Sequence, residues 1–341
     1  MDLQAVQIND EAMAHLAGLV ELSELNLSGT ALTDAGLQHL SNMTHLEGLD
    51  LSQTQISGEG LEHLAGSTGL ERLYLTGTKL TDAGAKSLAA FTGLQNLNLS
   101  RTGISDAGIQ PLAGLTDLLH LDLGVTEVRS PGLVHLSHLE SLRSLTLTGI
   151  NVDESGLRHL HPALCASLGL LELSATCVKD LEPLARMFSL CTLTLSGTEV
   201  TDGSLAHLAE LYSLVDLDLS YNSGITNAGL PLVAALPALV ELNVSGTAVT
   251  SEGLNLLCGT TNLEVLHLQN MRFSEVGLAQ LAELKFLKVL DLKGAVGITD
   301  SAVSSLSALS HLEELDLQKT AVTDEGVRRL QKALPGVVIF R

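Results

Sequence analysis

The stretch LNLSGTALTDAGLQHL, from Leu25 to Leu40, decides the architecture because the chain keeps returning to it. LDLSQTQISGEGLEHL begins at Leu49, LYLTGTKLTDAGAKSL at Leu73, LNLSRTGISDAGIQPL at Leu97 and LDLGVTEVRSPGLVHL at Leu121, a constant step of 24 residues. Self-similarity at such a period signals stacked supersecondary units, none of which can bury its apolar face alone. With the second leucine of each LxL as a ruler, marks fall at Leu27, Leu51, Leu75, Leu99, Leu123, Leu147, Leu173, Leu195, Leu219, Val244, Leu268, Leu292 and Leu317, with weaker marks at Ile8 and Ile339. This predicts one domain over 1–341 of about 14–15 repeats, with no stretch left for a second.

Each unit has a physical reading. Alternation in LNL sends Leu25 and Leu27 to one face of a short strand and Asn26 to the other. Thr33 and Asp34 stand where a side-chain oxygen caps a helical turn. Leu37 and Leu40, three apart, share the face that points back to the strand leucines. Gly36, Gly60, Gly84, Gly108, Gly132 and Gly156 recur in that turn although glycine costs roughly 1 kcal/mol there relative to alanine, which predicts close approach of neighbouring turns. Apolar content of 45% with only 2% aromatic residues suits a core built from one repeated side chain. The threonine closing each LxLxxT (Thr30, Thr54, Thr78, Thr102, Thr126, Thr176, Thr198, Thr247, Thr320) predicts a buried hydroxyl bonded to backbone of the adjacent turn. Asn222 replaces it once, and Ile150, Met271 and Ala295 break the column.

The unit LxxLxLxxTxITDxGLxxLxxL resembles the cysteine-containing and GALA-type leucine-rich repeats, with Thr where the former carry Cys. The likeness covers nearly the whole chain. It implies an α/β solenoid, right-handed and curved, with a parallel β-sheet on the concave face and short helices on the convex face. It also implies protein binding, since such repeats occur in substrate-recognition halves of F-box ubiquitin ligases and in bacterial and protozoan repeat proteins. Between Leu173 and Leu195 the step shrinks to 22 residues after one of 26, and DLEPL at 180–184 replaces TDxGL, resembling an internalin-type unit. Irregularity is therefore expected near 150–190, with a tighter 3₁₀-like turn in place of the regular one.

Charge narrows the partner. Eighteen basic against 39 acidic residues leave −21, which argues against nucleic acid and anionic membrane, both of which select Lys and Arg. The column between the strand leucines reads Asn26, Asp50, Tyr74, Asn98, Asp122, Thr146, Glu172, Thr194, Asp218, Asn243, His267, Asp291 and Asp316, without a lysine or arginine. Glu24, Asp216, Glu241 and Glu314 add to it from the neighbouring column, opposed mainly by Arg72 and Lys293. Like charges on adjacent strands oppose folding slightly until something positive arrives. The expected site is thus an acidic concave face, Asp50, Arg72, Tyr74, Asp122, Glu172, Asp216, Asp218, Glu241, Val265, His267, Val289, Asp291, Glu314 and Asp316, in which Tyr74 with Arg72 and Val265, His267 and Val289 are candidate anchors. The ligand is expected to be a basic protein. At fold level this resembles the way ribonuclease-inhibitor-like horseshoes grip basic proteins.

Other chemistry is thinly signalled. No GxxxxGK loop, GxSxG elbow or HExxH pair is present, so neither an enzyme nor a cofactor is expected. His15, His39, His63, His135, His159 and His207 each precede a leucine of the helical turn and read as half-exposed filler. His159, His161 and Cys165 have zinc-ligand types at a spacing that matches no ordinary finger, and no metal is expected. Cys165, Cys177, Cys191 and Cys258 follow no disulfide spacing. The start MDLQAVQIND lacks the marks of a secretory signal and no apolar run could cross a bilayer, so the expectation is a cytoplasmic protein. Alternative readings are a substrate-recognition adaptor of a ubiquitin-ligase or signalling complex and a surface or adhesive repeat protein. Ile339 and Phe340 near the end add an expectation of end-to-end self-association.

Overall fold

The computed structural model describes residues 1–160 and 162–341 and divides them into two compact units, Met1–Glu172 and Leu173–Arg341. The boundary falls inside the irregular stretch, between the long repeat and the short one.

In the first unit, strands β1 (Glu24–Asn26), β2 (Gly48–Asp50), β3 (Arg72–Tyr74), β4 (Asn96–Asn98), β5 (His120–Asp122), β6 (Ser144–Thr146) and β7 (Leu170–Glu172) lie side by side in chain order, all parallel. In the second, β8 (Thr192–Thr194), β9 (Asp216–Asp218), β10 (Glu241–Asn243), β11 (Val265–His267), β12 (Val289–Asp291), β13 (Glu314–Asp316) and β14 (Val338–Phe340) do the same. Register follows the leucine ruler: Leu25 pairs with Leu49, Leu217 with Leu242. Strands of three residues suffice because the inner ones are flanked on both sides by a similar neighbour with the leucine buried beneath; Leu25, Leu27, Leu37 and Leu40 are at most 2% exposed. Full burial of one such side chain contributes roughly 1.5–3 kcal/mol, so the repeated spine carries the stability of each unit.

Most of the returning turns are 3₁₀ rather than α-helical, as at Asp34–Leu40, Glu59–Leu64 and Ser130–Leu136. A 24-residue circuit leaves room for one or two turns only, and the tighter helix fits. The long repeat carries the four-residue α-helix Glu154–Leu157 and then a second helix, Pro162–Ser167. The short one closes with the three-residue turn Glu182–Leu184, which is 3₁₀ like many of the regular turns and differs from them in being shorter, not in the change of helix type expected there.

Two backbone devices explain recurrent residues. A Cβ at Gly60 would collide with the Asp34 backbone and one at Gly84 with the Ser57 carbonyl, both in the preceding repeat, which is the close approach foreseen. The residue three after the strand adopts positive φ in repeat after repeat, as glycine at Gly29, Gly77, Gly149, Gly197, Gly246 and Gly294 but as Gln53, Arg101, Val125, Ala175, Tyr221, Asn270 and Lys319 elsewhere.

The threonine column is buried at Thr30, Thr54, Thr78, Thr102, Thr176 and Thr198 and half-buried at Thr126, Thr247 and Thr320, and its partner differs from the one expected. Thr30, Thr54, Thr102 and Thr198 donate to the carbonyls of Leu27, Leu51, Leu99 and Leu195, each in its own repeat three residues back, at 2.6–2.8 Å, not to the adjacent turn. From this position the hydroxyl closes its own turn. The longer amide of Asn222 does cross, donating to Leu195 O at 2.7 Å and Leu219 O at 2.9 Å while its Oδ1 accepts from Thr198 Oγ1 at 3.0 Å.

Candidate functional site

The exposed sheet faces assemble from the residue between the two strand leucines and the residue before the first. The first of these columns has a structural task that the acidity had obscured. The side-chain oxygen of Asn26, Asp50, Asn98, Asp122, Asp218, Asn243, Asp291 or Asp316 accepts the N–H two residues on, at 2.7–3.0 Å, closing the turn that leaves the strand. Asp and Asn interchange because the turn needs an acceptor rather than a charge. That alternation was visible in the sequence and was the signal to read.

In the first unit, Asp50, Tyr74, Asn98, Asp122, Thr146 and Glu172 form one row by register. Arg72 lies beside this row but is spoken for: its guanidinium pairs with Glu24, with Glu71 at 3.0 Å and with Glu47 at 3.7 Å. The hydrogen bond it donates to Glu24 leads the causes that raise its pKa further.

The second unit brings Asp216, Asp218 and Glu241 together with His267 and Asp291. Glu241 stands opposite Asp216 and Val265, and Asn243 opposite Asp218 and His267. Burial, then the charges of Glu241 and Asp218, push Asp216 up to about 6; His267 alone acts the other way. The imidazole of His267 lies between Glu241 (Nε2 to Oε1, 3.1 Å) and Asp291 (Nδ1 to Oδ2, 3.5 Å), and the bond to Asp291 leads the causes that raise its pKa despite burial. Asp291 is pulled up by burial, but bonds from His267, Lys293 N–H and Gln269 outweigh this and hold it low. Val289 faces Val265 and Glu314, and Asp291 faces Asp316. Lys293, a candidate counter-charge, enters through its backbone N–H. Sequence reading missed Tyr221, which follows β9 at positive φ, is 58% exposed and lays its ring over Gly246.

A third group of carboxylates lies away from the sheet faces, in the turns. Asp34 accepts from Ser57 N and Oγ and from Gly58 and Gly60 N–H of the next repeat at 2.7–3.1 Å. Asp10, Asp82, Asp202 and Asp300 grip Thr33, Ser105, Thr226 and Thr323 in the same two-oxygen fashion. Burial raises the pKa of Asp34, but the bonds from Gly60, Ser57 and Gly58 outweigh it and the result is lowered; the hydroxyls of Ser155 and Ser130 draw Asp153 down to about 2. A good share of the negative charge therefore holds repeats together.

Among the described residues no three His, Cys, Asp or Glu side chains gather as metal ligands. His159 is exposed, Cys165 is buried with its thiol toward Leu160 O and its pKa raised by burial, and His161 lies outside the described residues. Among the described residues no helix is long and apolar enough to cross a membrane.

Short strands on a leucine spine, many closed by an Asx turn and returned by a helical turn, define a tandem-repeat protein with one open sheet face per unit. A family model described as leucine rich repeat matches residues 20–80, and a second of the same description matches 94–113 and 308–330. No curated protein matches the sequence. Among solved structures, the chain is similar to an internalin (InlF) of Listeria monocytogenes at 24% identity, covering 95% of this chain and 82% of that one with TM-score 0.61. A leucine-rich repeat protein of Leptospira interrogans aligns at 20% identity over 100% and 95% of the two chains, TM-score 0.65. The ectodomain of the Arabidopsis thaliana receptor kinase GASSHO1/SCHENGEN3, in complex with CASPARIAN STRIP INTEGRITY FACTOR 2, aligns at 17% over 95% and 45%, TM-score 0.56. The fold is that of leucine-rich repeat proteins, and family models of that description match stretches in both units.

Proposed function

We propose that this protein is a non-enzymatic interaction scaffold whose exposed sheet faces bind a basic protein, with the cluster Asp216, Asp218 and Glu241 as the principal contact. The observation that carries this reading is the Asp216 carboxyl, pushed up to about 6 by burial, by Glu241 opposite it and by Asp218 on its own strand, with His267 as the one basic group acting on it. A guanidinium or ammonium from a partner would relieve that repulsion and lower the pKa, so association releases a proton near pH 6. The likeness in fold to an ectodomain solved in complex with another molecule supports a binding role in general terms.

Isothermal titration of the full chain with octa-arginine, at low and at high salt, tests it. Affinity should fall as salt rises and as pH drops below 6, and Glu241→Gln with Asp218→Asn should weaken it about tenfold or more, the loss of one or two close charge pairs. Equal affinity of the doubly substituted and native chains would refute the assignment.

A further inference from the structure

Between β3 and β6 the first unit's sheet face carries a hollow of about 110 Å³, lined by Tyr74, Asn96, Asn98, His120, Asp122 and Thr146 above the strand leucines. We propose that this hollow receives one arginine side chain of the protein partner. The inference rests on the reading above that the sheet faces bind a basic protein, and deepens it by naming the residue recognised.

Size comes first. Sites for small organic ligands run to about 300–1,000 Å³, so a space of 110 Å³ holds the head of one side chain and little else. Its chemistry selects which. By register Tyr74, Asn98, Asp122 and Thr146 stand in a row across four strands, so an aromatic ring forms one wall and a hydroxyl the other. Between them the Asp122 carboxylate is held rigidly, Oδ1 by the Gly124 N–H at 2.8 Å and Oδ2 by the Asn98 amide at 3.0 Å. An ionised carboxylate offers about four acceptor sites. Two are taken by these bonds, and Asp122 lines the hollow. An anion would be repelled, and an apolar head would strip water from Asn98 and Asp122 without replacing its hydrogen bonds.

No lysine or arginine lines the hollow. Arg72, two residues before Tyr74, is drawn instead to Glu24, Glu47 and Glu71. The opening is therefore negative and aromatic without an internal cation. A planar guanidinium suits both features, stacking on the ring while its fork of donors meets the carboxylate, in a way a lysine ammonium does not.

The test uses the full chain labelled with 3-fluorotyrosine, whose three tyrosines give three ¹⁹F signals. Titration with N-acetyl-arginine N-methylamide should move the Tyr74 signal saturably while Tyr212 and Tyr221 report that the fold is intact. Citrulline, the uncharged isostere, should leave Tyr74 still, and the lysine analogue should bind more weakly. Asp122→Asn should weaken the arginine response at least about fivefold, the loss of one partly solvated charge pair. It keeps the acceptor for the turn N–H, as Asn98 does for Ser100 at 2.9 Å. A Tyr74 response to citrulline equal to that for arginine, or one unchanged in Asp122→Asn, would overturn the proposal. So would a still Tyr74 signal while octa-arginine binds at Asp216, an outcome that leaves the scaffold reading standing. If octa-arginine binds nowhere, the scaffold reading fails and this one with it.

Discussion

The two units share a spine, a register and a turn, yet their sheet faces handle charge in opposite ways. In the first, the principal cation is surrounded by the molecule's own carboxylates: Arg72 faces Glu24, Glu47 and Glu71. In the second, three carboxylates converge with a single imidazole beside them, and Asp216 holds its proton up to about pH 6. The difference teaches that net charge is a poor guide to where a partner binds. What matters is which carboxylates have already been answered from within.

The largest effect should separate the two units at a buried polar column. Asn222→Ala in the second removes the amide that serves Leu195 O and Leu219 O and accepts from Thr198, and stranding those groups should cost about 2–3 kcal/mol. Thr54→Ala in the first loses one bond within its own turn and should cost about 1 kcal/mol. Urea unfolding of both variants measures the gap; equal losses would mean that the crossing amide adds nothing.

Next comes the charge contrast itself. Because the folded-state pKa of Asp216 is raised from 3.8 to about 6, its favourable contribution is complete below about pH 4 and is lost as pH rises through 6. Asp216→Asn should therefore stabilise the protein at pH 7 by about 1–2 kcal/mol, after discounting for partial solvent screening, and leave it unchanged at pH 3.5. Asp122→Asn in the first unit should lie within about 0.5 kcal/mol of native at either pH. A pH-independent gain at Asp216 would point to packing instead of repulsion.

A smaller gain is expected at Val125, a β-branched residue 51% exposed at φ +57°. Relief of left-handed strain, about 1–2 kcal/mol, less the extra backbone entropy of glycine, should make Val125→Gly stabilising by about 0.5–1 kcal/mol in thermal denaturation. Smallest in stability is Arg72→Gln, below about 1 kcal/mol because its pairs are partly solvated. Yet it should sharpen the comparison most, by giving the first unit a salt-dependent affinity for octa-arginine that it otherwise has only at the hollow. No change in that titration would mean that Glu24, Glu47 and Glu71 are not what Arg72 answers.

How much of this the sequence disclosed follows from distance along the chain. The strands and their register were legible in the leucine ruler, since spacing alone decides which side chains share a face. The cap at Thr33 and the glycines that admit neighbouring turns were legible for the same reason. The carboxylate roles were not. Asp34 meets Ser57 across 23 residues and Glu24 meets Arg72 across 48, and no local pattern announces either pairing. The threonine hydroxyls were given the wrong partner because side-chain reach was left out of the reading. At the strand centres the exchange of Asp for Asn did speak, and it said that an acceptor was needed where charge had been inferred.

The turn carboxylates have a bearing on how such a chain can change. Asp10, Asp34, Asp82, Asp202 and Asp300 hand their two oxygens to the next coil in a nearly constant manner, so those seams between coils present much the same chemistry. A whole coil gained or lost by recombination in the regular portion would rejoin matching surfaces, whereas the gain of a few residues would leave oxygens and donors out of step. Growth by complete modules is thereby made easy and growth by fragments is not.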